Sequence, residues 1–296
     1  MPANRKPTAP IVVGTDFSRN CALATDRAAN IAAQLRAPLV LVHVVPTVGP
    51  SAAVPMMEPW LGRAAATTST LSETIGSLQK NALRMLDRVE LPPQVPARRI
   101  TRSGDPRVAL SAVAKRSGAR LLVLGSRTST GSIEKILLGS TAERVLRVSE
   151  CPVLIVKSKV TSYKNILIAV DFSRISIEVV RTVLQLFPEA SLTLGTVASI
   201  PREATLSKAR KAEIELALRS IAREGGIKDD EIQVATAVGD PRYGIRDLCA
   251  AVRPELIAVG THARRGFVRF LLGSVAEFVV RTSQVDVLAV PPAQKQ

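Results

Sequence analysis

An internal repeat is the feature that most constrains what this chain can fold into. The segment VVGTDFS at Val12–Ser18 recurs as IAVDFS at Ile168–Ser173, and SGDPRVAL recurs as VGDPRYGI. A third pair, LLVLGSR…LLGSTAERVLR and LIAVGTH…LLGSVAEFVVR, follows in the same order. Three matched segments in one order predict two copies of one folding unit. The length of 296 residues agrees, because it is about twice that expected of a single domain.

The boundary between the copies is predicted at a short polar stretch, KSKVTS at Lys157–Ser162, which separates two apolar runs. We therefore expect a first domain over residues 1–159 and a second over residues 160–296. The first copy is longer in its middle, where Pro46–Thr67 contains four prolines and no helical periodicity. This stretch is predicted to be a mobile flap.

Short apolar runs alternate with longer helical segments in each copy. Runs such as Leu39–Val45 and Val285–Val290 are rich in Val and Leu, as is typical of strands buried on both faces of a parallel sheet. Helix candidates such as Arg19–Leu35 and Ser176–Phe187 lie between such runs. The alternation predicts an α/β fold of two tandem doubly wound domains, each an open, mostly parallel five-stranded sheet with helices on both faces.

Composition and the first residues narrow the class of protein. Three widely spaced cysteines without a C-x-x-C pair argue against a disulfide framework and a zinc site. The first ten residues lack the apolar stretch of a signal peptide, and four prolines interrupt the longest uncharged run, Ala37–Met57. We therefore expect a cytoplasmic protein that makes no membrane contact.

Two carboxylates and two turns mark the carboxyl ends of predicted strands, where doubly wound sheets bind ligands. Asp16 and Asp171 follow the first strand of each copy and could accept a hydrogen bond from a base or ribose, or could cap the next helix. Gly104 and Gly239 open Gly-Asp-Pro turns. Turn chemistry alone explains these glycines, and a glycine also lets the backbone approach a ligand closely.

A glycine-containing loop follows the fourth strand of each copy. In the second copy this loop begins at Gly260 and Thr261, and its Arg264 and Arg265 could neutralise a polyphosphate. Beyond each loop a Gly-Ser pair opens the final helix, where free N–H groups and the helix dipole favour a phosphate. The S-x-x-E spacing from Ser140 or Ser274 equally predicts a capping box.

Other nucleotide and catalytic signatures are absent from the sequence. It contains no G-x-x-x-x-G-K-[ST], no G-x-G-x-x-G and no H-E-x-x-H. Its two histidines, His43 and His262, lie in different copies, so the sequence predicts no triad and no metal cluster. We interpret His43 as a hydrogen-bonded interior histidine. No residue stands out as a general base, so at most slow hydrolysis of a bound nucleotide is expected.

These motifs together resemble the universal stress protein family, in a tandem form that covers about Ile11 to Val156 and Asn165 to Val290. The resemblance rests on GTHARRGFVRFLLGSVAEFVV and on CPVLIV at Cys151–Val156. It implies an adenine nucleotide alpha hydrolase-like fold and a bound ATP or other adenine nucleotide, with or without Mg²⁺. It also implies that the final strands, Pro152–Val156 and Val285–Val290, pair across a pseudo-two-fold axis.

The resemblance also implies a role for individual residues: the Asp after the first strand contacts adenine, the second strand lines the base, and the glycine loop and Gly-Ser pair hold phosphates. Carried over, the second-copy residues are Asp171, Val197, Gly260, His262, Gly273, Ser274 and Val275. The first-copy residues are Asp16, Val44, Gly125, Arg127, Gly139, Ser140 and Thr141. Our own candidates Gly239, Thr261, Arg264 and Arg265 join this set.

The two copies depart from the family pattern to different degrees. The second loop glycine is replaced by Ala263 in the second copy and by Thr128 in the first. The first copy also has one residue too many before Gly139. A branched side chain near a phosphate takes up more room than a methyl group. We therefore predict that the second copy is the better nucleotide site.

Three functions fit these observations. The preferred one is a cytoplasmic stress-response protein that binds an adenine nucleotide and acts by regulation. The alternative is a scaffold without nucleotide, whose paired domains recruit a partner protein. A homodimer of the chain is compatible with either function. Binding of an anion or nucleic acid is suggested by the charge of the first copy, because +12 of the net +15 lies in residues 1–160. Aromatic residues make up only 3% of the chain, however, so platforms for base stacking are scarce.

Overall fold

A computed structural model describes residues 8–47, 68–128, 136–137, 139–201, 205–228, 230–261 and 272–293. Most of the predicted flap, residues 48–67, lies outside this part of the chain.

The first copy contains seven strands and four helices in its described part. In chain order they are β1 (Ile11–Gly14), α1 (Arg19–Leu35), β2 (Leu39–Val45), α2 (Thr68–Asp87), β3 (Ala97–Ser103), α3 (Pro106–Arg116), β4 (Leu121–Gly125), β5 (Arg127–Thr128), β6 (Ile136–Leu137), α4 (Ser140–Val148) and β7 (Val153–Val156). Five of these strands belong to the main sheet, while β5 and β6 form a separate two-stranded antiparallel ladder.

The second copy repeats the pattern without that small ladder among its described residues. Its elements are β8 (Asn165–Ala169), α5 (Arg174–Leu186), β9 (Ser191–Ala198), α6 (Lys208–Gly225), β10 (Ile232–Val238), α7 (Pro241–Val252), β11 (Leu256–Gly260), α8 (Ser274–Thr282) and β12 (Asp286–Val290).

All ten main strands form one continuous sheet in the order β10-β9-β8-β11-β12-β7-β4-β1-β2-β3. Within each copy every pair of neighbouring strands in this main sheet is parallel. The strand order of each copy reverses between its first and fourth strands, β1 and β4 or β8 and β11, and this is where a doubly wound sheet binds ligands.

Helices cover both faces of the sheet, and the apolar core on each face runs through both copies. One cluster joins buried side chains of α1 and α5, such as Ala28 and Val179, with alternate strand residues. The other joins α4 and α8, through Val145 and Val279, with the remaining strand residues. The predicted α/β fold with helices on both faces is confirmed.

The copies meet through their last strands, as the resemblance implied. β7 and β12 are antiparallel, with Leu154 opposite Leu288 and Ile155 opposite Val287. Each of these strands is paired on its other side as well, β7 with β4 and β12 with β11. The antiparallel contact of β7 and β12 is the joint between the copies, and neither of its two strands has a free edge.

A buried polar cluster reinforces the joint. Asp286 is fully buried and forms an ion pair with Arg27 of α1, which is only 3% exposed. The Tyr163 hydroxyl donates to Asp286 at 2.5 Å, and the guanidinium of Arg27 lies over the Tyr163 ring. The backbone N–H groups of Lys157 and Ser158 donate to Asp286 at 2.8 Å each. The carboxylate thus holds the first copy, the linker and the second copy together.

A second set of charges crosses the joint between α4 and α8. Arg281 contacts Glu143 at 3.0 Å, and Arg147 contacts Glu277 at 3.5 Å. Each arginine also pairs with the glutamate of its own helix at 3.2 Å. These arginines hold the pKa of Glu143 below its usual value even though its partial burial acts in the opposite direction. The two glutamates therefore form ion pairs across the joint. The predicted capping boxes are wrong, because α4 and α8 have glycine at the N-cap and no side-chain hydrogen bond there.

Residues 1–160 expressed alone should give a dimer or insoluble material. Without the second copy, β7 would be a bare apolar edge and Arg27 would be a buried charge without Asp286, and both are unfavourable. Size-exclusion chromatography with light scattering measures the outcome. A soluble, folded monomer would contradict the expectation.

A cleft at the strand switch point of the first copy

A cleft of about 1240 Å³ opens at the carboxyl ends of β1, β2 and β4. It lies at the reversal of strand order, and its volume exceeds the 300–1,000 Å³ typical of small-molecule sites. Six of the seven first-copy residues assigned by resemblance line it: Asp16, Val44, Gly125, Gly139, Ser140 and Thr141. The side chain of the seventh, Arg127, lies outside the described part.

Asp16 provides a carboxylate at the β1 edge of the cleft. Its Oδ1 accepts a hydrogen bond from the Ser18 N–H at 2.9 Å. The cap of α1 is Ser18, whose hydroxyl accepts from the Cys21 N–H, so the suggestion that Asp16 caps this helix is wrong. Partial burial raises the pKa of Asp16, but hydrogen bonds from Ser18 and Cys21 outweigh it and leave the pKa below the usual value. Asp16 is therefore an ionised acceptor at neutral pH.

His43 lines the cleft beside Asp16. Its Nδ1 lies 2.9 Å from the Thr15 carbonyl oxygen, which can only accept, so Nδ1 carries the proton. Its ring stacks on Phe17 at 4.7 Å between centroids. Phe17 has a φ of 64°, in the left-handed region that non-glycine residues rarely adopt. The interpretation of His43 as hydrogen-bonded is confirmed, but the sequence did not predict that it would line the cleft.

The hydrogen bond from His43 to the Thr15 carbonyl has a counterpart in the second copy, made by a different side chain. Thr196 stands where β2 has His43, and its hydroxyl donates to the Val170 carbonyl at 2.8 Å. Phe172 has a φ of 59°, close to that of Phe17. The turn that presents the aspartate is thus built alike in both copies.

The start of α4 forms another wall of the cleft. The N-cap is Gly139, which makes no side-chain hydrogen bond, and Ser140 is the first helical residue. The φ of Gly139 is −69°, so the backbone does not require a glycine here. α8 begins in the same way at Gly273, with a φ of −60°. In both helices the N–H groups of the first turn therefore have no side-chain cap.

Helix packing favours a glycine at position 125, independently of the predicted ligand contact. A Cβ atom at this position would lie 2.8 Å from the backbone oxygen of Asn20 in α1. The Asn20 side chain also donates to the carbonyl of Ser126 at 2.7 Å. A Cβ on Gly260 would lie 2.8 Å from the Ile175 side chain of α5. Close packing of the first helix thus requires a glycine at the end of the fourth strand in each copy.

The Gly-Asp-Pro turns are explained by local structure. Gly104 and Gly239 have φ values of 120° and 113°, which suit glycine. Asp105 and Asp240 cap α3 and α7 by accepting from the backbone N–H two residues on. A hydrogen bond from Arg242 lowers the pKa of Asp240 to about 2.

One wall of the cleft comes from the linker between the copies and from the second copy. Lys157 and Lys159 belong to the linker, and Gln284 precedes β12 in the second copy. The motif comparison did not identify these residues. A signal was present, because the residues after the last strand are Lys157-Ser158-Lys159 in the first copy and Pro291-Pro292-Ala293 in the second.

The three cysteines are free thiols and partly buried. Cys21 lines the cleft, where burial raises its pKa to about 11, and burial does the same for Cys249. Burial also raises the pKa of Cys151. All three thiols therefore stay protonated at neutral pH and are poor nucleophiles.

The second copy brings its described candidates to the equivalent edge. Asp171 follows β8, Val197 lies on β9, and Gly260 ends β11, which pairs with β8. The Gly273 N–H donates to the Thr261 carbonyl at 2.7 Å and so attaches the start of α8 to the end of β11. Ser274 and Val275 follow in the first turn of α8, and Val275 packs against the core.

Asp171 accepts hydrogen bonds from two residues at the start of α5. Its Oδ1 accepts from the Ser173 N–H at 3.1 Å and from the Ser176 hydroxyl at 3.0 Å. Ser173 is the N-cap of α5, so Asp171 does not cap this helix. The rest of the predicted second-copy site, His262, Arg264 and Arg265, lies outside the described residues.

Fold and cleft define the class of protein: two doubly wound α/β units in tandem, joined into one sheet, with a cleft at the switch point. The model of the universal stress protein family matches residues 8–157 and again residues 162–291, and the chain belongs to this family. Every helix within the described ranges is too short or too polar to cross a membrane.

Two of the following relatives match over the whole tandem unit, and the third matches over less than half of the chain. A universal stress protein of Mycolicibacterium smegmatis is 26% identical, over 95% of this chain and 97% of that protein. The crystal structure of a universal stress protein from Archaeoglobus fulgidus has a TM-score of 0.67 at 20% identity, covers 96% of this chain and 98% of that one, and shows the same fold. A universal stress protein crystallised in complex with cAMP is 25% identical, with a TM-score of 0.33 over 44% of this chain and 97% of that one.

Proposed function

We propose that this chain binds ATP or a related adenine nucleotide at the switch points of its two copies and acts by regulation in a stress response. The observation that carries the proposal is the first-copy cleft, which has an ionised carboxylate on one wall and an uncapped helix start on another. A nucleotide needs both features, an acceptor for its base or ribose and donors for its phosphates.

The carboxylate wall suits the nucleoside. Ionised Asp16 accepts hydrogen bonds only, so it matches the amino group of adenine or a ribose hydroxyl. Val44 lines the same end of the cleft and offers an apolar surface to a base. The hydrogen bond of His43 to Thr15 holds the turn that presents Asp16.

The helix wall suits the phosphates. First-turn N–H groups and the positive end of the helix dipole favour an anion at Gly139, Ser140 and Thr141. Of the charged side chains in the described lining, three are cationic and one is anionic: Arg19, Lys157 and Lys159 against Asp16. The cleft is thus net positive.

Regulation is proposed in preference to catalysis because of the protonation states in the cleft. Asp16 has a lowered pKa and is therefore a weak general base, and Cys21 has a raised pKa and is therefore a weak nucleophile. Neither group is therefore suited to driving the hydrolysis of a bound nucleotide.

Freshly purified protein should release an adenine nucleotide on denaturation, identified by mass spectrometry, and ATP added to the emptied protein should raise its melting temperature. Ligand at about 100 times its dissociation constant stabilises a folded state by about 2.7 kcal/mol. GTP at equal concentration is the control for base recognition. If no nucleotide is released and ATP leaves the melting temperature unchanged, the scaffold hypothesis replaces this one.

A further inference from the structure

The linker between the copies runs along the cleft and is held in place there. Lys157 directly follows β7, and its N–H and that of Ser158 donate to Asp286. Lys157, which lines the cleft, is only 8% exposed. A segment fixed by two hydrogen bonds to a buried carboxylate has a defined position relative to the cleft.

The two linker lysines have different roles. The Lys157 ammonium donates to the carbonyls of Val280 and Ser283, at 2.6 and 2.8 Å, where α8 ends. Burial lowers its pKa to about 8. Lys159 is exposed at the cleft and, within the described part of the chain, has no hydrogen bond or ion pair. Of the two, Lys159 therefore has the charge that is available to a ligand.

This cation is specific to the first copy. The three residues after β7 are Lys157, Ser158 and Lys159, whereas those after β12 are Pro291, Pro292 and Ala293. Ala293 occupies the position of Lys159 and carries no charge. The first copy also has the altered glycine loop, in which Thr128 pairs with Ile136 in the β5–β6 ladder. A cation from the linker would add a phosphate contact to the copy whose loop departs further from the family pattern.

We propose that Lys159 binds the phosphates of a nucleotide in the first-copy cleft, so that the linker between the domains completes this site. The inference rests on the proposed nucleotide binding. A lysine ammonium on a flexible four-carbon stem can follow a polyphosphate without fixed geometry. Because Asp286 of the second copy positions the linker, the first-copy site is then complete only in the joined tandem protein.

The test measures binding of ATP to full-length protein that carries Gly273→Val, which removes the second-copy contribution. In that background Lys159→Ala should raise the dissociation constant for ATP about three- to fivefold, as expected of one exposed charge contact. Lys159→Arg should keep it within about twofold, because the charge remains. Lys211→Ala, a matched change at an exposed lysine of α6, should leave it unchanged.

Adenosine, which has no phosphate, distinguishes a phosphate contact from a general effect of the substitution. Lys159→Ala should leave the dissociation constant for adenosine unchanged. The proposal is overturned if Lys159→Ala binds ATP as its parent does, or if it weakens adenosine equally. It is also overturned if the Gly273→Val parent binds no ATP, which leaves nucleotide binding to the second copy. If wild-type protein binds no ATP, the proposed function fails first and this inference fails with it.

Discussion

Replacing Asp286 with alanine should lower the free energy of unfolding by about 3–5 kcal/mol, the usual cost of leaving one charge of a buried ion pair alone. Arg27, 3% exposed, would lose its carboxylate, and the Tyr163 hydroxyl would lose its acceptor. The linker N–H groups of Lys157 and Ser158 would lose theirs too. Chemical denaturation followed by circular dichroism measures the change.

Two further variants identify the cause of the Asp286→Ala effect. Asp240→Ala removes an exposed aspartate that caps a helix and pairs with an arginine, and it should cost much less. The double variant Asp286→Leu with Arg27→Met removes both buried charges and should recover part of the lost stability. If Asp286→Ala cost no more than Asp240→Ala, the buried cluster would not be what stabilises the joint.

Gly273→Val should remove most of the stabilisation that ATP confers on the intact protein, and Gly139→Val should remove less. Both glycines have φ values near −65°, which valine adopts without strain, so the new side chain acts mainly by filling space at the helix start. The order of the two effects follows from Ala263 and the regular loop spacing of the second copy. Melting temperatures of each variant with and without ATP measure both effects.

Without ATP, each glycine variant should melt close to wild type, and this is the control for folding. Equal losses of the ATP effect would show that the two copies contribute alike and that the predicted asymmetry is wrong. A larger loss for Gly139→Val would show that the first-copy cleft is the main site. The linker lysine at that cleft and the net charge of +12 on residues 1–160 both favour an anion in the first copy. The comparison therefore decides between local loop geometry and charge.

The repeat was the strongest predictor of the fold. Continuous apolar runs located most of the strands, and α1 begins and ends where the helical pattern does, at Arg19 and Leu35. β3 was not among the runs, because ARRITRS contains three arginines and a single large apolar residue, a composition that suits its position at the edge of the sheet. The β5–β6 ladder was also missed, since two-residue strands have no periodicity to detect.

Local motifs gave wrong predictions where one sequence pattern fits two different structural roles. Ser140 and Glu143 match a capping box, but the helix begins one residue earlier than that motif requires, and Glu143 pairs with Arg281 of the other copy. Asp16 and Asp171 match a helix cap, but Ser18 and Ser173 hold that position. A spacing rule identifies the residue types and leaves open which partner each will meet.

The sequence by itself determined the two-copy architecture, the class of fold and the residues gathered at the switch point. Periodicity and repetition are local properties, and parallel strands bring their carboxyl ends to one edge whatever else the chain does. Only the tertiary structure decided that Arg27 meets Asp286 across 259 positions, and that a linker lysine lines the first-copy cleft. Such contacts depend on how the two copies dock, and docking is governed by burial and charge pairing between residues far apart in the chain.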